Sequence, residues 1–322
     1  MPLTPEFENT LALLRDTSHP FPPQALYYFS SLTPDNLAGL EAAWPEVDAE
    51  RRFNILEDLT ELSEANFEVS FEPVFRMAMD DESAPARAAA IRGLWEVEEL
   101  DLMGQFLEVM LHDPEIEVRA AAATALGRFV YLGELEEITP PQTQRIEEAL
   151  MAVIHGSDDV EVRRRALEAL AYSSREEVTP LISAAYTSSE KNMRVSAVFA
   201  MGRSADQRWT PQVLAELDSV TPEIRFEAAR AAGELEIEDA VPALLKMGDD
   251  SDRQVREAAI WSLSQIGGED ARKALKRLLR RAEPDEREFL LEAIDNLDFT
   301  DEVRSFALFD FDPADLPKEE SD

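Results

Sequence analysis

Cysteine is absent from the 322 residues. That excludes disulfides, thiolate nucleophiles and thiolate-held zinc or iron–sulfur centres. Histidine is scarce: His19, His112 and His155 are the whole supply. None is followed by Glu, and no His-x-x-x-His spacing occurs. Glycine is sparse and nowhere forms a phosphate-cradling loop; Gly267-Gly268 reads as a helix end. The acidic run DDSD (249–252) lacks the Gly and closing Glu of an EF-hand loop. No run approaches the ~20 apolar residues of a spanning helix. The opening MPLTPEFENTLALLRD carries acids early, without a basic segment or long apolar run, so no signal peptide is expected. A cytoplasmic location is the expectation.

What is abundant is negative charge. There are 67 acidic and 31 basic residues, a formal net charge of -36. Such a surface repels nucleic-acid phosphates and anionic membranes at long range. It favours solubility and a basic protein partner, and charge alone does not separate the two. With so many acids, close carboxylate pairs arise by chance and identify no acid/base pair.

An internal period organises the rest. Arg87, Arg119, Arg163, Arg194, Arg225, Arg256 and Arg287 open similar segments, 32, 44, 31, 31, 31 and 31 residues apart. Arg52 opens a weaker copy. The clearest copies read DPEIEVRAAAATALG (113–127), TPEIRFEAARAAG (221–233) and DSDRQVREAAIWSLSQIGG (250–268). Three, four and seven residues after the Arg the side chain is apolar, which makes one helix face. The sixth is Ala in five copies, small enough for close helix approach. A second apolar-periodic segment precedes each, as in VPALLKM (241–247). Each unit therefore reads helix, turn, helix, and the units must stack to bury their apolar faces. Thr-Pro at 4–5, 33–34, 139–140, 179–180, 210–211 and 221–222 suits helix starts. Gly127, Gly202, Gly233 and Gly267 fall where second helices are expected to end.

These copies resemble HEAT repeats, particularly the short bacterial variety also seen in phycobilin lyases. The resemblance covers about residues 34–297. It implies an all-α fold, an α-α superhelix built as a solenoid of about eight helical hairpins. HEAT units carry an Asp in the turn and an Arg six residues on, here Asp81/Arg87, Asp113/Arg119 and Asp250/Arg256. Ser157, Ser188 and Ser219 take the Asp position before Arg163, Arg194 and Arg225; the last copy has Arg281 there. These residues read as a structural hydrogen-bond ladder along the turns. Residues 1–32 are expected to form an N-terminal helical cap, 33–298 the solenoid and 299–322 an acidic tail.

The expected activity is binding, with no catalysis, cofactor or metal. HEAT-like iron hydroxylases depend on His-Glu pairs, which this chain lacks. HEAT-like DNA glycosylases use a basic concave face, which the charge opposes. In a HEAT solenoid the second helices line the concave face. The fifth position after the Arg points outward there and reads Phe199, Arg230 and Trp261 in three consecutive units, with Phe226 beside Arg230. Exposed aromatics around an Arg have the composition of an interface hot spot; packing between repeats is the competing reading. Three other segments carry paired readings. The 13 extra residues within 129–144 form either a binding loop or a longer helix with a wider turn. The stripe Arg272, Lys273, Lys276, Arg277, Arg280 and Arg281 is an anion site or a solvated face paired with acids. Phe306, Phe309 and Phe311 are a packed cap or a docking motif. The leading expectation is a monomeric scaffold holding a protein partner, without direct contact to nucleic acid or membrane. The rivals are a tetrapyrrole (bilin) lyase-like or chaperone protein and an acidic DNA mimic.

Overall fold

The computed structural model describes residues 3–284 and 286–309. Among these there are eighteen α-helices and no strand. The chain divides into two compact units, Met1–Ser174 and Arg175–Asp322.

The first unit opens with α1 (Pro5–Arg15) and the short α2 (Pro23–Leu26), which runs into a 3-10 turn, Tyr27–Phe29. Phe7, Leu11, Leu14 and Phe29 are buried, and Phe29 stacks on Phe21 at 5.9 Å. Four hairpins follow: α3 (Pro34–Ala43) with α4 (Ala49–Ala65), α5 (Glu72–Ala78) with α6 (Ala84–Gly93), α7 (Leu100–His112) with α8 (Ile116–Glu134), and α9 (Pro140–His155) with α10 (Val160–Leu170). The second unit has four more: α11 (Val178–Tyr186) with α12 (Lys191–Arg203), α13 (Thr210–Glu216) with α14 (Pro222–Glu234), α15 (Val241–Met247) with α16 (Arg253–Ile266), and α17 (Gly268–Leu279) with α18 (Arg287–Phe309). Eight hairpins are the number the arginine period implies. The helix α18 runs past residue 298, the expected end of the solenoid, to Phe309. The side chains of the Phe306, Phe309 and Phe311 cluster lie outside what is described.

Within each unit the second helices pack in series, α4–α6–α8–α10 and α12–α14–α16–α18. The period explains it. Ala90, Ala122, Ala166, Ala197, Ala228 and Ala259, three residues after each Arg, are all 0% exposed, and so are Leu126, Leu170, Met201, Ala232 and Leu263 four residues later. The core therefore lies along one face of every second helix, and small residues set its spacing.

Three expectations about helix ends change. Gly127, Gly202 and Gly233 are helical, not caps: Gly127 lies in mid-α8, and Gly202 and Gly233 stand one residue before the ends of α12 and α14. A Cβ on Gly202 would lie 2.8 Å from Ala231 Cα, and one on Gly233 2.9 Å from Ser262 Cα. These positions let neighbouring backbones touch. The left-handed turn falls instead on Glu136, Ala205 and Glu236, with φ of 60°, 50° and 50°; of the four glycines only Gly267 takes it, at 69°. The Thr-Pro pairs also divide. Thr4 and Thr33 cap their helices, accepting from Phe7 N–H and Asn36 N–H, and Gln142 reaches back to the Thr139 N–H at 3.0 Å. Thr179-Pro180 and Thr210-Pro211 instead lie within the first turns of α11 and α13. The extra residues of 129–144 are mostly helix, extending α8 to Glu134 and starting α9 at Pro140. Phe129 and Val130 are fully buried, and Phe129 meets Phe106 edge-on at 6.3 Å. The longer-helix reading holds there because these side chains extend the core face of α8.

Candidate binding surface

The turn arginines do one job several times. Arg87 donates from Nη1 to the Asp81 carbonyl at 2.8 Å, inside its own turn. It also forks onto Asp113 of the next turn, at 2.9 and 3.0 Å. Arg119 donates to the Asp113 carbonyl and forks onto Asp158, and Arg225 to the Ser219 carbonyl and onto Asp250. Arg256 continues with the Asp250 carbonyl and the Glu286 carboxylate. The aspartates also brace the turns ahead of the second helices: Asp81, Asp113 and Asp250 accept from the N–H groups of Ser83, Glu115 and Asp252. Arg194 makes the inner half of the pattern, with the carbonyls of Ser188 and Ser189. Arg163 departs from it and donates to the Ile154 carbonyl at 3.1 Å. Where spacing points to Ser157, the carboxylate that receives Arg119 belongs to Asp158, one residue on.

These pairs have an acid signature. Hydrogen bonds from Arg119 and Arg225 hold the Asp158 and Asp250 carboxyls below the usual carboxylate range. A carboxylate whose folded pKa is depressed stabilises the fold above its unfolded pKa, near 4, and loses that contribution as pH falls through the folded value. Unfolding free energy is expected to fall below about pH 4, and an Asp250→Asn variant to fall less steeply there. Urea titrations at a series of pH values measure this; parallel curves for the two proteins would remove Asp250 from the acid response.

The outward row lies on α12, α14 and α16. The Arg230 guanidinium sits 5.6 Å from the ring centroids of both Phe199 and Phe226. Arg203, one turn beyond Phe199, approaches the same ring at 5.3 Å. Glu234 lies between the two arginines, 3.3 Å from Arg203 and 3.6 Å from Arg230. Burial pushes its carboxyl above the ordinary range, while the two guanidinium charges oppose the shift. Glu227 adds a contact to Arg230 at 3.4 Å. Phe199, Phe226 and Arg230 therefore form one half-exposed cluster. Trp261 keeps to the other side of α16, stacked on Phe289 at 6.2 Å and 39% exposed. Sequence reasoning missed Arg203, Glu234 and Phe289. The first two occupy the ninth position after Arg194 and Arg225, so the same 31-residue period carries their signal.

The basic stripe is partly neutralised. Arg272 bonds to Asp298 and to Asp301, and Arg281 to Asp249 at 2.7 Å. Lys273 faces Asp270 at 3.2 Å. Lys276, Arg277 and Arg280 are exposed. The histidines are exposed as well, His19 beside Asp16 and His112 beside Glu108. Among the described residues no group of three or more His, Asp or Glu is placed to hold a metal ion, and no helix is long and apolar enough to cross a membrane.

The HEAT-repeats family model matches residues 147–219 and 210–295, and the single HEAT-repeat model matches 103–132. The chain belongs to the HEAT-repeat family. Comparison with curated proteins gives no match. Among solved structures, this HEAT protein is similar to YibA of E. coli at 18% identity and TM-score 0.43, over 74% of this chain and 96% of that one. It is similar to human deoxyhypusine hydroxylase at 20% identity and TM-score 0.36, over 81% and 96%. An engineered protein matches at 21% identity and TM-score 0.41, over 62% and 97%.

Proposed function

We propose that this HEAT-repeat chain is a non-catalytic scaffold whose second unit holds a protein partner on the cluster Phe199, Phe226 and Arg230 and on the separate Trp261 ring stacked on Phe289. The observation that carries the reading is the Arg230 guanidinium held at 5.6 Å from two half-exposed rings. Aromatics and Arg are the side chains that dominate interface energetics, and a guanidinium already fixed by its neighbours loses little rotamer freedom on binding. The excess of acid over base favours a basic partner and speeds its encounter. The same charge disfavours nucleic acid and anionic membrane.

The test is affinity purification from the native host with mass spectrometry, comparing the wild-type chain with a folded Phe199→Ala/Trp261→Ala variant. A partner held by the wild type is expected to bind the variant about tenfold or more weakly. Equal retention by both proteins would place the contact elsewhere, and the absence of any partner would count against the scaffold itself.

A further inference from the structure

The first unit carries a groove of its own, on other helices than the row above. Helix lengths create it. With 17 residues in α4, 10 in α6 and 19 in α8, the three run about 25, 15 and 28 Å at the α-helical rise. The short α6 lies between longer neighbours, so the second-helix layer is recessed beyond its end. Small residues on α8 leave the recess open: Ala120 and Ala121 are buried in its floor, with Thr124 and Ala125 above them. The volume is about 660 Å³. That lies within the range of ligand pockets, enough for a few side chains and too little for a folded domain. Trp95, in the turn after α6, lines it and is 47% exposed.

The charges in this groove are unevenly satisfied. Its three arginines are all engaged: Arg92 with Glu57 at 2.7 Å, Arg128 with Glu98, and Arg165 with Glu161 and Glu168 at 3.1 and 2.9 Å. Glu61 and Glu64 on α4 and Glu117 on α8 are exposed and have no ion-pair partner among the described residues. The excess potential is felt nearby. Burial, and then the Glu61 charge, raise the Asp58 carboxyl above its usual range.

We propose that this groove binds a basic, apolar-spaced segment of a partner protein. Lys or Arg side chains of the segment pair with Glu61, Glu64 and Glu117. Their aliphatic stems or cationic heads lie on the Trp95 ring, which attracts a cation and covers a methylene stem equally well. Small apolar side chains of the segment rest on Ala120 and Ala121. An anionic ligand meets the same three carboxylates and is repelled.

The probe is a fluorescein-labelled amphipathic peptide of Leu and Lys, with the same peptide carrying Glu for every Lys as its counterpart. Fluorescence anisotropy is read against the full chain. Four proteins are compared: wild type, Glu61→Gln/Glu64→Gln/Glu117→Gln, Thr124→Trp, and the Phe199→Ala/Trp261→Ala row variant. The three glutamates and Thr124 are exposed on helices, so these changes leave the core intact, and circular dichroism confirms folding. The Lys peptide is expected to bind the wild type and the row variant equally, and the Glu peptide to bind neither. The triple variant is expected to bind at least about tenfold more weakly, more than one lost charge pair accounts for. Thr124→Trp, which fills the groove without changing charge, is expected to weaken binding as much. No binding by the wild type overturns the proposal. So does a triple variant that binds normally. Weakening by the charge variant without weakening by Thr124→Trp also overturns it, because acidity anywhere would then suffice. Weakening confined to the row variant moves the peptide to the second unit and supports the scaffold reading instead.

Discussion

Replacing Arg52 with Met is expected to lower the unfolding free energy by about 3–5 kcal/mol. Arg52 is a deeply buried cation of the first unit. Its side chain is 2% exposed and faces Asp81, 1% exposed, at 3.0 Å. Nη1 donates to the Val47 carbonyl at 2.9 Å and Nη2 to Glu82 at 3.0 Å. Asp81 also accepts from the Trp44 indole at 2.6 Å and from the Ser83 N–H at 2.7 Å. Met fills most of the volume of Arg but leaves the Asp81 carboxylate buried beside a methyl group. Stranding one member of a buried pair costs far more than the pair is worth. An added Asp81→Asn is therefore expected to restore at least about 1 kcal/mol. The amide removes the stranded charge while its oxygen still accepts from Trp44. Urea unfolding of wild type, single and double variants measures both effects. A single-variant loss under about 1 kcal/mol would mean that water reaches Asp81.

The second large effect is a reversal of sign. Gly→Ala inside an exposed helix ordinarily stabilises by up to about 1 kcal/mol. Gly104, in mid-α7, has nothing within 4 Å of the place a Cβ would take. Gly104→Ala is expected to stabilise accordingly. Gly233→Ala is expected to destabilise by about 1–3 kcal/mol, the usual cost of overpacking. Its Cβ would meet Ser262 Cα and Cβ at 2.9 Å and collide with the Gln265 side chain. A side-chain amide can swing away, but the backbone of α16 can retreat only by moving the helix. Melting temperatures should move in opposite directions; a rise for both would show that α14 and α16 separate freely.

Much of this was legible in the residues themselves. The 31-residue recurrence of arginine fixes the hairpin number, and alanines at the third and sixth positions fix the face that packs. Asp81, Asp113 and Asp250 could be placed in turns because the resemblance to HEAT repeats puts an Asp six residues before each Arg. Phe199, Phe226 and Arg230 share a face by spacing alone, and they meet. Other features were hidden. Gly202 and Gly233 look like helix stops, yet they mark where α12 meets α14 and α14 meets α16; a glycine in sequence does not say whether the backbone must turn or be approached. Trp261 follows the same period as Arg230 but stacks on Phe289, because α18 offers it a ring. The groove under Trp95 depends on α6 ending early and on which acids find partners, and neither is a property of one segment.

By itself, then, the sequence determined that the chain is helical, that it repeats, which face of each second helix is buried, and that its field is negative. Period, side-chain size and charge are local quantities, and each acts within a turn or two of helix. The tertiary structure decided which arginines fork onto which aspartates, which glycines are contacts, where Trp261 and Glu234 lie, and which of many glutamates remain unpaired. Those depend on distances between hairpins, and such distances exist only once the hairpins have packed.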